Sequence, residues 1–238
     1  PVVHAMFELI YGKSPYKSPT DMGVNMAGNC IVDDLVCREA SKQEIIRRYY
    51  KSLCEKRRNG STKNDIYKLE LLMKQAEISV EDRKVTVAAL EREKENGGKP
   101  AMAIELPDGT IVTGGTSELL GAASSALLNA LKALAGIDKD IKLIEPSAID
   151  PIQTLKINYL GSKNPRLHTD EVLTALSATA ANNETAMLAM KQLPELKGCD
   201  AHSSVLLSNV DEKILNKLGI QLTCEPKYEE DGRMYHKD

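Results

Sequence analysis

The spacing of apolar residues changes abruptly at the Asn-Gly-Gly-Lys-Pro segment of residues 96–100. Before this segment, apolar residues recur every three or four positions, which is the spacing of amphipathic helices. After it they recur at every second position, which is the spacing of strands. We therefore predict a layered α/β subdomain over residues 97–226 and a small three-helix subdomain over residues 41–96.

Capping signals mark where the helices of this subdomain begin. Ser41 with Glu44 and Ser79 with Asp82 each have the spacing of an N-terminal capping box. A shorter helix ends at Gly12, and the segment 1–40 that contains it is assigned to the α/β core. The helices of the subdomain are predicted at 41–57, 64–76 and 79–94, and residues 227–238 form a polar tail.

A β-hairpin is predicted around the turn Pro107-Asp108-Gly109, because alternating apolar residues flank it on both sides. The following Gly-Gly-Thr-Ser at 114–117 is predicted to open a long helix that is buried against the sheet. Two later stretches share the order helix, Gly, strand, Glu-Pro, as in a weak internal repeat. Strands are accordingly expected at 141–145 and 221–225, with a further strand at 203–208.

Composition excludes several classes of protein. The formal net charge is −3, and no face-sized basic cluster is present, so nucleic-acid binding is disfavoured. No apolar run has the length of a membrane span and no signal-peptide pattern opens the chain, so a cytoplasmic protein without membrane contact is expected. The 5 cysteines are odd in number and lack a Cys-x-x-Cys pair. This pattern is typical of reduced thiols and not of a disulfide framework or a zinc site.

The loop from Lys13 to Asn25 is the first candidate ligand site. Its two Lys-Ser-Pro repeats exclude regular helix, because each proline restricts the residue before it. Hydroxyl, ammonium and backbone N–H donors suit a phosphate or carboxylate. An ordered surface loop without a ligand is the alternative. The candidate ligand-binding residues are Ser14, Tyr16, Lys17, Ser18, Thr20, Asp21 and Asn25.

Two other places offer groups that bind anions. Gly115, Thr116 and Ser117 lie between a predicted strand and a predicted helix, where backbone N–H groups and the helix dipole favour an anion. Glycine and a capping hydroxyl are also required there for purely structural reasons. Arg47 on the first helix of the subdomain is a possible clamp for an anion, although a solvated surface position is the commoner role.

Histidines near polar partners are the candidate catalytic groups. His168 lies two residues before Asp170, and His202 precedes two serines. If residues 203–208 continue a strand through His202, its side chain and that of Ser203 point to opposite faces and cannot form a dyad. A polar residue at a helix N-terminus is the alternative role for His168.

Three segments resemble one bacterial family, which is known as domain of unknown function 1846. They are Ser-Pro-Tyr-Lys-Ser-Pro-Thr-Asp-Met-Gly-Val-Asn-Met-Ala-Gly at 14–28, the helical segment 38–50, and Pro-Arg-Leu-His-Thr-Asp-Glu-Val-Leu at 165–173. The resemblance covers nearly the whole chain and implies that it is the C-terminal part of a longer protein. It also implies a missing N-terminal part with a segment similar to a phosphate-binding loop, and a cytidine-deaminase-like topology for the α/β subdomain.

The resemblance does not imply a reaction, because the family has no established activity and a shared fold does not carry chemistry. Zinc is not expected, because the His-x-Glu and Pro-Cys-x-x-Cys patterns of zinc deaminases are absent from the sequence. We expect a domain that binds a small anionic ligand, such as a nucleotide or a phosphate, together with the missing half. The alternative is a structural module that mediates homo-oligomerisation and has no active site of its own.

Overall fold

The computed structural model describes residues 2–13, 34–60 and 63–229. The candidate ligand residues at 14–25 therefore lie outside the described residues, as does most of the predicted polar tail. The chain divides into two compact units, Pro1–Ile46 and Arg47–Asp238. No helix in the described ranges combines the length and the apolar character that a membrane span requires.

The first unit contains helix α1 and the beginning of helix α2. Helix α1 spans Val2–Tyr11, and Gly12 ends it with a positive φ of 69°, which confirms the predicted helix stop. Helix α2 spans Asp34–Asn59 and continues into the second unit. Its predicted start at Ser41 is wrong, because the Ser41 hydroxyl donates to the carbonyl of Cys37 from inside the helix.

The second unit is a mixed α/β structure, which confirms the predicted class. Its described strands are β1 (Ala101–Glu105), β2 (Ile111–Gly115), β3 (Asp200–Ser203) and β4 (Gln221–Cys224). They form one sheet in the order β2-β1-β3-β4. Strand β1 is antiparallel to β2 and β3, whereas β3 and β4 are parallel. Strands β2, β3 and β4 therefore end at the same edge of the sheet.

Helices cover both faces of this sheet. Met102 and Ile104 point into the main core, while Ala103 between them packs on Val85 and Ala89 of the opposite layer. That opposite layer is α4 (Lys84–Glu95), which contacts β1, β2 and β3. The main-core side carries α5 (Ala122–Leu134), α6 (Pro146–Thr154), α7 (Thr169–Ala180), α8 (Glu184–Met190) and α9 (Asn209–Lys217). Helix α3 spans Lys63–Gln75.

Several local predictions are confirmed. The hairpin forms as β1 and β2, and the carbonyl of Leu106 accepts the Gly109 amide in its turn. The carboxylate of Asp82 accepts the backbone N–H of Ser79 at 2.8 Å, but this capping box opens a short 3₁₀ turn at Val80–Asp82, so the predicted helix start at Ser79 is wrong and α4 begins at Lys84. The predicted strand at 221–225 forms as β4. The division into subdomains at residue 96 stays a prediction, although α4 packs on the sheet.

Three further local predictions are wrong. The long helix begins at Ala122 and not at 116–117, because Gly114 and Gly115 complete strand β2. Residues 141–145 form no strand, since Leu143 and Ile144 are buried in the main core as irregular chain before α6. The strand expected at 203–208 lies earlier, at Asp200–Ser203.

Candidate functional site

A small cavity lies at the edge where β2 and β3 end. Thr116 follows β2 directly, residues 205–207 follow β3, and helices α5, α7 and α9 all begin at the cavity or next to it. Ligands of layered α/β proteins bind outside the carboxyl ends of the strands, and helix N-termini add donor N–H groups there. The polar residues that line the cavity are Thr116, Asn164, Arg166, His168, Asp211 and Glu229.

His168 and Asp211 form the central pair of this site. The Nδ1 atom of His168 lies 2.8 Å from Oδ2 of Asp211. Asp211 is buried, and its carboxylate also accepts the Thr169 backbone N–H at 2.8 Å and the Ser208 hydroxyl at 2.8 Å. Burial alone raises the pKa of Asp211, but the hydrogen bonds from His168, Thr169 and Ser208 outweigh it and leave the pKa below its usual value.

This geometry determines which nitrogen of His168 carries the proton. An ionised carboxylate only accepts hydrogen bonds, so the Nδ1 atom that faces Asp211 must be the donor. The Nε2 atom is the ring nitrogen that does not face Asp211. Ser208 is not the nucleophile of a triad, because its hydroxyl donates to Asp211 and lies 3.4 Å from the same Nδ1 atom.

Two ion pairs hold the walls of the cavity. Arg166 donates to the Glu229 carboxylate at 2.6 Å, and both side chains are largely buried. Lys156 donates to the Glu171 carboxylate and to the carbonyl of Arg166, each at 2.7 Å. Glu171 also accepts the backbone N–H of His168 at 2.7 Å. These contacts fix the backbone on either side of His168 at the start of α7.

A second polar network is buried under α4 and α2. The Arg83 side chain is 1% exposed, and it donates to Asp200 at 2.7 Å and to Thr223 at 3.0 Å. Thr223 lies 2.8 Å from Nδ1 of His202, which is fully buried. The Nε2 atom of His202 lies 3.3 Å from Oε1 of Glu225 and makes no hydrogen bond within the described part of the chain.

The protonation of His202 follows from this burial. Burial lowers the pKa of His202, and the carboxylate of Glu225 opposes the effect only in part. Ser203 donates to the carbonyl of Val205, so the two neighbouring side chains form no dyad, as the strand geometry predicts. A fully buried, neutral imidazole stabilises the packing between strands and is not a candidate base.

The second half of α2 is attached to this network by polar side chains spaced three or four residues apart on one helix face. Their partners lie on or beside β3, β4 and α9. The contacts are Arg47 with Asp200, Tyr50 with Glu225, Cys54 with the carbonyl of Cys224, and Arg58 with Glu212. Arg47, predicted as an anion clamp, therefore binds a carboxylate of the protein, at 3.5 Å.

The cysteines of the described residues are free thiols. Cys199 and Cys224 are buried, whereas Cys37 and Cys54 are partly exposed. Burial raises the pKa of the Cys54 thiol to about 12. Within the described ranges, His, Cys, Asp and Glu side chains form no group of three or more that is placed to hold a metal ion.

The structure brings together only some of the predicted site residues. Thr116 and His168 line the same cavity, whereas Gly115 lines a different one. Ser117 accepts the backbone N–H of Leu120 at 3.0 Å and so stabilises the turn before α5. Asp170 is exposed on α7, where its carboxylate accepts the N–H of Glu171.

Sequence reasoning missed Asp211, Arg166 and Glu229. Ser208 and Asp211 have the Ser-x-x-Asp spacing of a helix start, and the Ser208 side chain does cap α9 by accepting the Asp211 N–H. That signal locates a helix N-terminus, but it does not show which other helix start lies beside it.

Fold and site together define this chain as a layered α/β protein with a histidine–aspartate pair at the carboxyl edge of its sheet. The family model described as "Domain of unknown function DUF1846, C-terminal" matches residues 81–235, and the model of the N-terminal domain matches residues 1–77. The chain therefore belongs to the DUF1846 family, as its motifs predict. The boundary between the two matches lies between α3 and α4.

Curated relatives carry the name UPF0371 protein. One from Corynebacterium urealyticum is 55% identical over 228 residues, which is 96% of this chain and 46% of the relative. One from Streptococcus thermophilus is 54% identical over 237 residues, which is 100% of this chain and 48% of the relative. The chain thus spans about half the length of these relatives.

Proposed function

We propose that the second unit is a ligand-binding domain and that its ligand places a carboxylate, or a similar group with a single negative charge, at the His168 cavity. The observation that supports this most directly is the His168–Asp211 pair at 2.8 Å, which orients the imidazole at the carboxyl edge of the sheet. Arg166 and the hydroxyl-bearing Thr116 line the same cavity. Because Asp211 holds Nδ1 of His168, the other ring nitrogen, Nε2, is the atom proposed to contact the ligand.

The charges around the cavity favour a monoanion over a phosphate. Arg166 and His168 each already face a carboxylate, Glu229 and Asp211 respectively. A phosphate group with about two negative charges would add repulsion from both carboxylates. The cavity volume of about 40 Å³ admits a small group and not a whole nucleotide, so the rest of the ligand would lie outside it.

A catalytic role for His168 belongs to the same proposal. An aspartate that holds an imidazole in one tautomer is the arrangement of a general base or acid. The chain spans about half of its relatives, and the resemblance implies a phosphate-binding part and a cytidine-deaminase-like topology. We propose that a further part of the full-length protein supplies the second substrate or the phosphate contacts.

Calorimetry with small carboxylates on the full chain tests this proposal. Acetate and glycolate should bind, inorganic phosphate should bind more weakly, and His168→Gln should weaken carboxylate binding at least about tenfold, or about 1.4 kcal/mol. Asp170→Asn is the matched control, because Asp170 is exposed on the same helix but does not line the cavity. Equal carboxylate affinity in wild type and His168→Gln, with both proteins folded, would exclude the site.

The loop at residues 13–25 is proposed as a second contact to the anionic ligand. Lys17 and Ser18 offer an ammonium and a hydroxyl to an anion. If the full-length protein binds a nucleotide or sugar phosphate, Lys17→Ala combined with Ser18→Ala should weaken that binding at least about tenfold. Unchanged affinity in the double variant would make the loop a structural brace.

Homo-oligomerisation is a second candidate function, and exposed apolar side chains of the first unit favour it. These side chains are Met6, Leu9, Ile10, Leu35 and Val36, each more than half exposed. Large apolar side chains that cluster on exposed helices often mark protein–protein contacts. Analytical ultracentrifugation should show an oligomer that dissociates in the variant Leu9→Glu with Ile10→Glu. A wild-type monomer at all concentrations would refute this candidate.

A further inference from the structure

A larger cavity lies on the same side of the sheet as the main core, between α5 and α6. Its volume is about 390 Å³, which falls within the range of small-molecule pockets. It shares no lining residue with the His168 cavity. We call it the α5–α6 cleft. One face of α5 supplies Ser125, Leu128, Asn129 and Lys132, spaced three or four residues apart.

The interior of the cleft is apolar. Leu128, Leu143, Ile144 and Ile149 line it and are each less than a tenth exposed. Leu143 and Ile144 belong to the irregular segment before α6, so a loop without strand pairing forms one wall. An apolar body that enters the cleft would therefore replace water on aliphatic side chains.

The rim of the cleft is cationic. Arg92, Lys132, Lys139 and Lys142 line it, and Asp140 is the single acidic residue among the lining residues. An adjoining cavity of about 370 Å³ shares Asn129, Lys132, Lys139 and Asp140 with it, so the basic rim extends over both openings. Among the lining residues the basic side chains outnumber the acidic one, although Arg92 also pairs with Glu95 at 3.1 Å and Asp138 acts on Lys132 together with Asp140.

Two donors of the rim have incomplete hydrogen bonding. The Nε–H of Arg92 is buried and has no hydrogen-bond acceptor among the described residues. The Lys132 ammonium donates one bond, to the carbonyl of Lys139 at 2.6 Å, and an ammonium has three donors. The Lys132 ammonium therefore has two further donors for an anionic group at this rim.

We propose that the α5–α6 cleft binds an amphiphilic monoanion, with an alkyl or similarly apolar body between α5 and α6 and a carboxylate head at the lysine rim. The apolar interior favours an apolar body, and the basic side chains of the rim favour a negatively charged head. Both proposed ligands carry a carboxylate, so octanoate binding is assigned to the cleft by its loss in the Lys139→Glu, Lys142→Glu variant and its retention in His168→Gln.

Octanoate is the probe, and titration calorimetry on the full chain is the measurement. Octanoate should bind saturably, 1-octanol should bind at least about tenfold more weakly, and octyltrimethylammonium should bind weakest of the three. Lys139→Glu combined with Lys142→Glu should weaken octanoate at least about tenfold and leave octanol unchanged. Lys213→Glu combined with Lys217→Glu, an equal charge reversal on exposed positions of α9, should change none of the three affinities.

Ser125→Leu tests the interior, because its longer side chain fills the cleft from the α5 side. It should abolish binding of both octanoate and octanol, and an unchanged urea unfolding midpoint shows that the fold is intact. Equal affinities for octanoate and octyltrimethylammonium, or no saturable octanoate binding below about 1 mM, would overturn the proposal. Retained octanoate affinity in the Lys139→Glu, Lys142→Glu variant would overturn it as well.

Anionic lipids also combine an apolar body with a negatively charged head, so vesicles test a second source of such a ligand. The chain should not co-sediment with phosphatidylglycerol vesicles at about 0.15 M salt. Co-sedimentation that the Lys139→Glu, Lys142→Glu variant loses would assign the rim to a lipid surface and refute the free ligand.

Discussion

The Asp211 carboxylate joins the beginnings of two helices by binding His168 at 2.8 Å, across 43 positions of the chain. His168 is the N-cap of α7, and Asp211 lies in the first turn of α9. The same carboxylate accepts the first backbone N–H of α7, from Thr169. A single buried anion thus stabilises two helix N-termini and orients the imidazole of the candidate site.

Asp211→Asn should destabilise the protein by about 1–3 kcal/mol at neutral pH, because an amide replaces a charged acceptor of three hydrogen bonds. The folded-state pKa of Asp211 lies below its usual value, so its stabilisation is present above about pH 4 and is lost as the pH falls through the folded pKa. Urea unfolding should therefore show a difference between wild type and variant that narrows on acidification. A difference that is constant down to about pH 3 would contradict the role of the charge.

The free energy of unfolding should fall on mild acidification, because the buried site of His202 disfavours its protonated form. Its folded-state pKa is lowered by burial, so its stabilisation is complete above the unfolded pKa of about 6.5 and is lost as the pH falls through the folded pKa. The Arg83 charge also lowers this pKa and the Glu225 carboxylate raises it, while the Tyr50 ring packs 4.9 Å from the imidazole. Between about pH 7.5 and pH 5, the free energy of unfolding should fall less in His202→Phe than in wild type. The same loss in both proteins would mean that other groups cause it.

Arg83→Met should cost about 3–5 kcal/mol, because it removes the buried guanidinium that donates to the Asp200 carboxylate and to the carbonyl groups of Ala201 and Gln221. For a chain of this size, such a loss lowers the melting temperature by roughly 2–4 °C per kcal/mol. Lys84→Met is the matched control, since the neighbouring side chain is 73% exposed. Melting curves that agree for the two variants would show that the guanidinium does not hold the sheet.

Gly114→Ala should destabilise the fold by about 1–3 kcal/mol or more, because an added Cβ would lie 2.1 Å from the backbone nitrogen of Ala126 in α5. Gly121→Ala is the control, since its added Cβ meets only the carbonyl of Leu167, at 3.8 Å. That second change should be close to neutral. Chemical unfolding of both variants measures the contrast, and a neutral Gly114→Ala would mean that β2 and α5 separate easily.

Local signals predicted the elements that depend on local interactions. The turn around Pro107–Gly109 and the capping of Ser79 by Asp82 depend on backbone preferences and on hydrogen bonds between near neighbours. The failures arose where burial competed with local pattern. Leu143 and Ile144 resemble a strand in sequence, but they fill the main core as irregular chain.

The sequence by itself determined the class of the protein, the hairpin, helix α1, strand β4 and the family, because periodicity, turn residues and motifs are properties of short segments. The tertiary structure decided which polar groups meet. His168 pairs with Asp211, which lies 43 positions later in the chain, and Arg83 pairs with Asp200, which lies 117 positions later. Such pairs form because each buried charge must find a partner among the elements that pack around it, and no local pattern specifies those elements.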